Sequence, residues 1–252
     1  MELALAPEHR RSHGALYDGL NRGGVGIARL RRAISALPLP RAADGRLVLA
    51  ADVSPWLRPD ADTSPDWCFC HTYGRGRDEH KIIPGWPYSF VAALETGPTS
   101  CSEILDAVRL LPGADVAAVT VGQLREVVER LIAAGHRQDG DPPILLVLDA
   151  GYEAPRIAYL LGDLPAQVLG RMRSDRVLRR PTPERDGRNG RPPKHGTEFV
   201  FGRPDTWGEE EVVTITDTRL YGTARVQSWG RLRPILTHRA AWAQQPGPSP
   251  GD

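Results

Sequence analysis

The sequence is short of the features that mark several classes of protein. Its 252 residues include three cysteines, Cys68, Cys70 and Cys101, an odd and small number that excludes a disulfide framework and indicates a reducing compartment. No apolar run approaches the roughly 20 residues that a membrane-spanning helix needs. Charged residues at 8–11 replace the apolar core that a signal peptide would have there, and no internal repeat is visible. We therefore predict a cytoplasmic protein without a membrane partner.

The composition is that of an ordinary globular protein, with 40% hydrophobic residues, 25% charged residues and a net charge of +1. A chain of this length has room for one core and an additional module. We predict four parts, which are an N-terminal helical segment (1–42), an α/β core (45–175), a β-rich basic insertion (176–245) and a disordered tail (246–252). The tail alternates proline with glycine and serine, which excludes a helix or a central strand.

Two short apolar runs each lead directly into an aspartate. The run 47–51, bounded by Gly45 and Pro55, ends at Asp52, and the run 144–148 ends at Asp149. Continuous apolar runs of this length are typical of strands buried on both faces of a sheet. Carboxylates at the ends of adjacent strands supply the oxygen ligands that Mg²⁺ prefers. Because the pattern occurs twice, it favours a metal site over two aspartates that only cap turns.

The other predicted elements connect these two strands. Residues 8–37 form a helical pattern with a break at Gly23-Gly24. Strands are predicted at 67–73 and 88–95 as an antiparallel meander, 102–111 fits either a helix or a strand, and then follow a helix at 120–134, a helix at 154–161 and a strand at 166–169. A right-handed crossover through the 120–134 helix would place the second apolar strand parallel to the first and next to it.

Positive charge is concentrated after this core. Residues 171–203 contain ten arginines and lysines and four acids, a local excess of six. Arg171, Arg173 and Arg176 follow the 166–169 strand directly and are the candidate contacts for DNA phosphates, although a solvated surface is the ordinary role of such charges. Short β-like runs follow at 199–201, 212–216 and 224–229.

Two further motifs are weak. Cys68-Phe-Cys70-His71 could hold zinc, but two more ligands at a suitable spacing are missing, so we predict packing in the core. Gly74-Arg-Gly-Arg77 lacks the strand and helix that flank a phosphate-binding loop, so we predict a basic hairpin.

Six segments of the sequence, in the same order as in the family, resemble bacterial insertion-sequence transposases of the DDE superfamily. They are Leu49-Ala-Ala-Asp-Val-Ser-Pro-Trp56, Ile83-Pro-Gly-Trp-Pro-Tyr-Ser-Phe90, Leu146-Val-Leu-Asp-Ala-Gly-Tyr152, Gly170-Arg-Met-Arg-Ser-Asp-Arg-Val-Leu178, Arg191-Pro-Pro-Lys-His-Gly196 and Leu236-Thr-His-Arg-Ala-Ala-Trp242. The likeness extends from about His9 to Trp242. It implies an α/β, ribonuclease-H-like fold, in which three antiparallel strands are followed by parallel strands with crossover helices, and a small β-rich insertion and an N-terminal helical segment are attached.

The resemblance also implies the chemistry. Members cleave and join DNA by two-metal phosphoryl transfer, and the likeness assigns Asp52 and Asp149 as the first two acids that bind the metal. The implied cofactor is Mg²⁺, two ions in the complete site, with Mn²⁺ as a substitute. The implied partners are DNA at the transposon ends and a second copy of the chain, in a bacterial cytoplasm at the nucleoid.

One part of the family pattern has no counterpart. The third acid of these transposases is a glutamate on a helix after the insertion, whereas Glu198, Glu209, Glu210 and Glu211 lie within the insertion and match nothing. We therefore expect a truncated transposase, poorly active or inactive by itself, with the third acid beyond residue 252. Two alternatives stay open, a non-catalytic DNA-binding remnant and an unrelated metal-dependent α/β hydrolase, which has no need of the basic region.

Overall fold

The computed structural model describes residues 18–19, 22–60, 64–73, 80–95, 102–183 and 195–235. Its helices are α1 (Ile27–Ser35), α2 (Val116–Ala133) and α3 (Ala154–Leu160), with a 3₁₀ helix at Pro204–Thr206. Its strands are β1 (Val48–Leu57), β2 (Cys68–Tyr73), β3 (His80–Leu94), β4 (Ser102–Arg109), β5 (Ile144–Leu148), β6 (Ala166–Gly170), β7 (Val177–Arg179), β8 (Glu198–Val200), β9 (Val212–Thr218), β10 (Gly222–Ser228) and β11 (Arg233–Pro234). The 102–111 segment, which fits either element by its pattern, forms strand β4.

The main sheet is mixed and has the order β2-β3-β1-β5-β6, with β4 also paired to β3. The pairs β1–β3, β2–β3 and β3–β4 are antiparallel, and parallel strands follow. The sheet confirms the predicted mixed α/β class, and its order has β1 and β5 as neighbours, as the sequence predicts. By contact density the chain divides into two compact units, Met1–Pro112 with Gly122–Ile144 and Gly113–Val121 with Leu145–Asp252.

Strand β1 is longer than the predicted 47–53. It pairs with β3 from Leu49 opposite Ala93 to Leu57 opposite Gly85. Pro55, expected to end the strand, lies within it and opposite Pro87 of β3. Hydrogen-bonded pairs alternate along an antiparallel ladder, and Arg58 N–H donates to Pro84 O at 2.8 Å. The Pro55 position is therefore one that needs no N–H toward β3, so the strand continues through it.

Strand β3 also begins earlier than the predicted residue 88. It starts at His80 and pairs first with β2, where Cys68 lies opposite Gly85. Glycine is required at 85, because a Cβ there would lie 2.4 Å from the carbonyl oxygen of Trp56. The segment between Pro84 and Pro87 is therefore extended, and it pairs closely with β1 instead of forming a turn.

Helix α2 covers one face of the antiparallel strands. Ser89 and Val91 of β3 are fully buried, as are Leu124 and Val128 of the helix. The helix begins four residues before the predicted Thr120, because Asp115 Oδ1 accepts a hydrogen bond from Ala118 N–H at 3.1 Å and caps the first turn. It ends before Gly135, whose φ of +81° is the left-handed conformation that stops a helix.

The second unit holds the parallel strands and the small sheets of the insertion. Strands β11-β7-β8 form a three-stranded sheet and β9 pairs with β10, close to the predicted runs at 199–201, 212–216 and 224–229. Phe199, 3% exposed, packs against Trp207 and Trp229 with ring centroids 6.0 and 5.5 Å away. This aromatic cluster buries the side chain of Phe199 on β8.

Several predictions lie outside the described residues. They concern residues 8–17, Gly74–Arg77, Cys101, 184–194, 236–242 and the tail 246–252. Among the helices that the structure describes, none combines the length and the apolar character that crossing a membrane requires.

Candidate active site

Asp52 lies inside β1, five residues before the strand ends, and not at its end as the sequence predicts. The correction follows from the pairing of β1 with β3, where Asp52 lies opposite Phe90. The carboxylate is exposed. Its Oδ1 accepts a hydrogen bond from Val53 N–H at 2.8 Å. One oxygen is thus engaged by the neighbouring backbone, and the side chain still faces solvent.

Asp149 follows β5 directly, as predicted, and is exposed as well. Its Oδ1 accepts a hydrogen bond from Gly151 N–H at 2.8 Å, and its backbone oxygen accepts one from Tyr152 N–H at 3.4 Å. This is an Asx turn, which leads into helix α3 at Ala154. A Cβ at Gly151 would lie 3.1 Å from Asp149 Oδ1, so glycine suits the tight turn beside the carboxylate.

The donor chemistry of the two aspartates suits a hard cation, since both present exposed carboxylates in which Oδ1 accepts a hydrogen bond from a backbone N–H. The described ranges contain no group of three or more His, Cys, Asp or Glu side chains positioned to hold a metal ion. The two acids are therefore the candidate ligands that the sequence identifies, without a third side chain in the part of the chain that the structure describes.

The three candidate arginines follow β6 and differ in their surroundings. Arg171 N–H donates to Leu148 O at 3.0 Å, so its backbone continues the pairing of β6 with β5, and its side chain is exposed. Arg173 forms a salt bridge with Asp175 at 3.0 Å, with both side chains more than 60% exposed. Arg176 N–H donates to Arg173 O at 3.1 Å in a turn. Asp175 thus offsets the charge of one of the three.

The acids of the insertion pair with arginines of the same module. Glu198 lies 3.4 Å from Arg179, Glu210 lies 2.9 Å from Arg225, and Glu211 lies 3.9 Å from Arg231. The pKa of Glu210 is held below its usual value, first by a hydrogen bond from its own backbone N–H and then by Gln227 and Arg225. These contacts assign the acids to the surface of the insertion.

Cys70 of the cysteine motif is 6% exposed, and burial raises the pKa of its thiol. The predicted packing role is confirmed for Cys70, while Cys68 is partly exposed.

Two charged clusters were missed by the sequence patterns. Asp106 of β4, 5% exposed, receives Arg31 Nη2 at 2.8 Å and Arg130 Nη2 at 3.0 Å. Asp115 receives both terminal nitrogens of Arg156, at 3.0 and 2.6 Å. That forked contact is the largest cause that lowers the pKa of Asp115. Both clusters join residues that are far apart in the chain, so no local spacing could have indicated them.

Comparison with known proteins gives one family. The family model described as DDE superfamily endonuclease matches residues 1–234. No curated protein matches the chain. Among solved structures, the chain is similar to the Drosophila P element transposase strand transfer complex, with 14% identity, a TM-score of 0.26 and coverage of 66% of this chain and 43% of that chain. The similar region thus spans less than half the length of that protein.

Proposed function

We propose that the chain, which belongs to the DDE superfamily endonucleases, is a DNA transposase. In this proposal Asp52 and Asp149 bind the metal ions that assist phosphoryl transfer. The observation that carries this proposal is the family match over residues 1–234. It is supported by the mixed sheet, whose order agrees with the fold that the resemblance implies. It is also supported by the exposure of both aspartates.

The two aspartates would hold the divalent ions through the carboxylate oxygens that face solvent. When bound, Mg²⁺ activates the attacking water or 3′-hydroxyl and stabilises the leaving oxygen. Asp52 and Asp149 are the residues that would hold these ions, with Mn²⁺ as a working substitute. Each aspartate keeps one oxygen on a backbone N–H, Val53 for the first and Gly151 for the second. That bond fixes the rotamer and leaves the other oxygen for a metal.

Glu198, Glu210 and Glu211 are paired with arginines on the insertion itself, which favours a third acid outside the insertion. With Asp52 and Asp149 as its two metal ligands, the chain would cut and join DNA poorly. Two carboxylates hold one Mg²⁺ loosely, because this ion readily keeps several waters, so residual nicking is expected without coordinated excision.

DNA is the proposed partner, as transposon ends bound by two copies of the chain. Arg171 and Arg176 would contact phosphates, since both are exposed, and each such contact adds a salt-dependent term to the affinity. Binding through phosphates alone carries little sequence preference.

The test is a plasmid excision assay. It compares this chain with a version extended by a C-terminal helix that carries a glutamate, each with Asp52→Asn and Asp149→Asn variants. Asp139→Asn, an exposed exchange in the loop after α2, is the matched control. We expect excision only from the extended version and its loss in both site variants. Equal excision by both versions, abolished by Asp52→Asn, would mean that the third acid lies within these residues.

A second candidate is a non-catalytic DNA-binding protein. The observation that favours it is that no third side chain joins an aspartate in a metal-binding group within the described ranges. It predicts salt-dependent DNA binding without nicking in either Mg²⁺ or Mn²⁺, from this chain and from the extended version alike.

A further inference from the structure

The antiparallel part of the main sheet has two faces of different character. Side chains alternate along a strand, and α2 packs on the face that carries Ser89, where Gln123 bonds to it. On each strand, the residues that alternate with those of the α2 face belong to the opposite face of the sheet. On β1 these are the exposed residues Asp52, Ser54 and Trp56.

Strand β3 places an aromatic side chain beside each of these three residues. Phe90 lies opposite Asp52, Tyr88 opposite Ser54, and Trp86 opposite Trp56. Directly paired residues of an antiparallel ladder share a face. We call Trp56, Trp86, Tyr88 and Phe90 the aromatic ladder. It begins beside the candidate catalytic carboxylate and reaches about 13 Å from it, the rise of four strand residues.

The rings of the ladder lie close to one another. The ring centroids of Trp56 and Trp86 are 5.7 Å apart, and those of Tyr88 and Phe90 are 6.2 Å apart. Trp56 is 55% exposed, and Phe69, which lies opposite Pro84 on the same face, is 63% exposed. Trp86, Tyr88 and Phe90 are partly exposed, so this face presents aromatic surface to solvent, and exposed apolar patches of this kind are typical of binding sites.

Two arginines flank the ladder on the same face. The guanidinium carbon of Arg58 lies 5.9 Å from the centre of the Trp56 ring, and Arg109 lies opposite Tyr88. Each forms an ion pair with a loop aspartate, Asp60 at 3.2 Å and Asp66 at 2.9 Å, and all four side chains are at least 36% exposed. Exposed pairs of this kind contribute little, so a phosphate can replace the aspartate. The ladder thus combines flat rings with cations.

We propose that the aromatic ladder binds unpaired nucleobases of single-stranded DNA beside Asp52. Bases stack on the exposed rings, and Arg58 and Arg109 bind the phosphates of the same strand. Such binding tolerates any sequence, because every base has a flat face. The inference deepens the proposed function and rests on it, since it names single-stranded DNA next to the cleavage site as the substrate form.

The test uses a blunt duplex and the same duplex with a single-stranded overhang, both fluorescently labelled. Affinities are measured with EDTA present, so that no cleavage occurs. We expect the wild-type chain to prefer the overhang, and Trp56→Ala to weaken overhang binding by about 5- to 150-fold, the range for one lost base stack. Blunt-duplex affinity should stay within about twofold. Trp56→Phe, which keeps a ring, should restore most of the overhang affinity.

Tyr221→Ala is the matched control, because this aromatic side chain is 89% exposed in the β9–β10 turn and belongs to the other compact unit of the chain. It should change neither affinity. Equal binding of both DNAs by the wild type, or an equal loss on both DNAs in Trp56→Ala, overturns the proposal. If Trp56→Ala instead dissociates a dimer and leaves both affinities unchanged, the ladder contacts a second copy and the proposal is wrong.

The binding test is independent of the catalytic proposal. An absent overhang preference in a chain whose nicking is abolished by Asp52→Asn overturns the ladder site and leaves the proposed function standing. A preference for the overhang without any nicking, in this chain and in the extended version, supports the ladder site and overturns the proposed catalytic function.

Discussion

Ser89 of β3 and Gln123 of α2 are joined by two buried hydrogen bonds. Ser89 Oγ donates to Gln123 Oε1 at 2.6 Å, and Gln123 Nε2 donates to Ser89 O at 3.0 Å. Both side chains are less than 5% exposed. The pair anchors the helix to one face of the sheet and so defines the opposite face, which carries Asp52 and the aromatic ladder.

Removing half of this pair should destabilise the fold. Ser89→Ala leaves the buried amide oxygen of Gln123 without its donor, which costs about 1–3 kcal/mol. Urea denaturation measures the free energy of unfolding. Ser54→Ala, on the exposed face of the neighbouring strand, should change it by less than about 0.5 kcal/mol. The double variant Ser89→Ala with Gln123→Leu should lose less than the sum of the single changes, and strict additivity would contradict the coupling.

The ion cluster at Asp106 should be sensitive to the loss of its central charge. Its side chain is 1% exposed and bridges Arg31 of α1 and Arg130 of α2. Asp106→Asn leaves two arginines without their buried counter-charge, and we expect a loss of about 3–5 kcal/mol. Glu126→Gln is the control, because Glu126 contacts the same two arginines at 3.7 Å but is 61% exposed. Its loss should stay below about 1 kcal/mol.

The pair of Asp115 and Arg156 predicts a pH dependence. The folded-state pKa of Asp115 lies below its ordinary value, mainly through the hydrogen bond from Arg156. A depressed carboxyl pKa contributes stability above the unfolded pKa, about 3.9, and this is lost as the pH falls through the folded value. The side chain is 51% exposed, so the effect should be less than about 1 kcal/mol.

The Asp115→Asn variant checks this effect. Asparagine also caps helices, so the exchange removes the charge while keeping the hydrogen bond to Ala118 N–H. The loss of stability between pH 5 and pH 2, measured by thermal unfolding, should be smaller in this variant. An unchanged pH profile would show that the contact contributes nothing.

Local patterns predicted much of the fold and part of the site. The apolar runs 47–51 and 144–148 become β1 and β5, and Asp149 stands directly after its strand. The pattern failed at the far end of β1, because Ser54-Pro55-Trp56 has the composition of a turn. Only the partner strand, with Pro87 opposite Pro55, makes that composition compatible with pairing.

Features that depend on distant residues could not be predicted in this way. The contacts of Asp106 join residues 31, 106 and 130, and the aromatic ladder exists only because β1 and β3 pair in one register. A shift of one residue would turn Tyr88 and Phe90 to the other face. Strand register and ion pairs between distant residues of the chain depend on the folded sheet, so the periodicity of the sequence cannot predict them.

The arginines after β6 should differ in their contribution to DNA binding. Each phosphate contact contributes about −0.9 to the slope of log affinity against log salt concentration. Arg171→Ala and Arg176→Ala should each flatten the slope by about that amount. Arg173→Ala should flatten it less, because Asp175 already offsets this charge at 3.0 Å. Affinities over a series of salt concentrations measure the slopes, and a triple variant with the wild-type slope would show that these residues do not touch DNA.

The glutamates of the insertion should be dispensable for any residual nicking. Glu198→Gln, Glu209→Gln, Glu210→Gln and Glu211→Gln each remove a charge that lies on the insertion, three of them in arginine pairs. We expect nicking of supercoiled plasmid in Mn²⁺ to stay within about twofold of the wild type, since a surface exchange has little effect on stability. Asp52→Asn should reduce it to background, because a metal ligand is lost. If one glutamate variant falls to background while its thermal unfolding is unchanged, that glutamate is the third acid, and the chain holds a complete set of metal ligands.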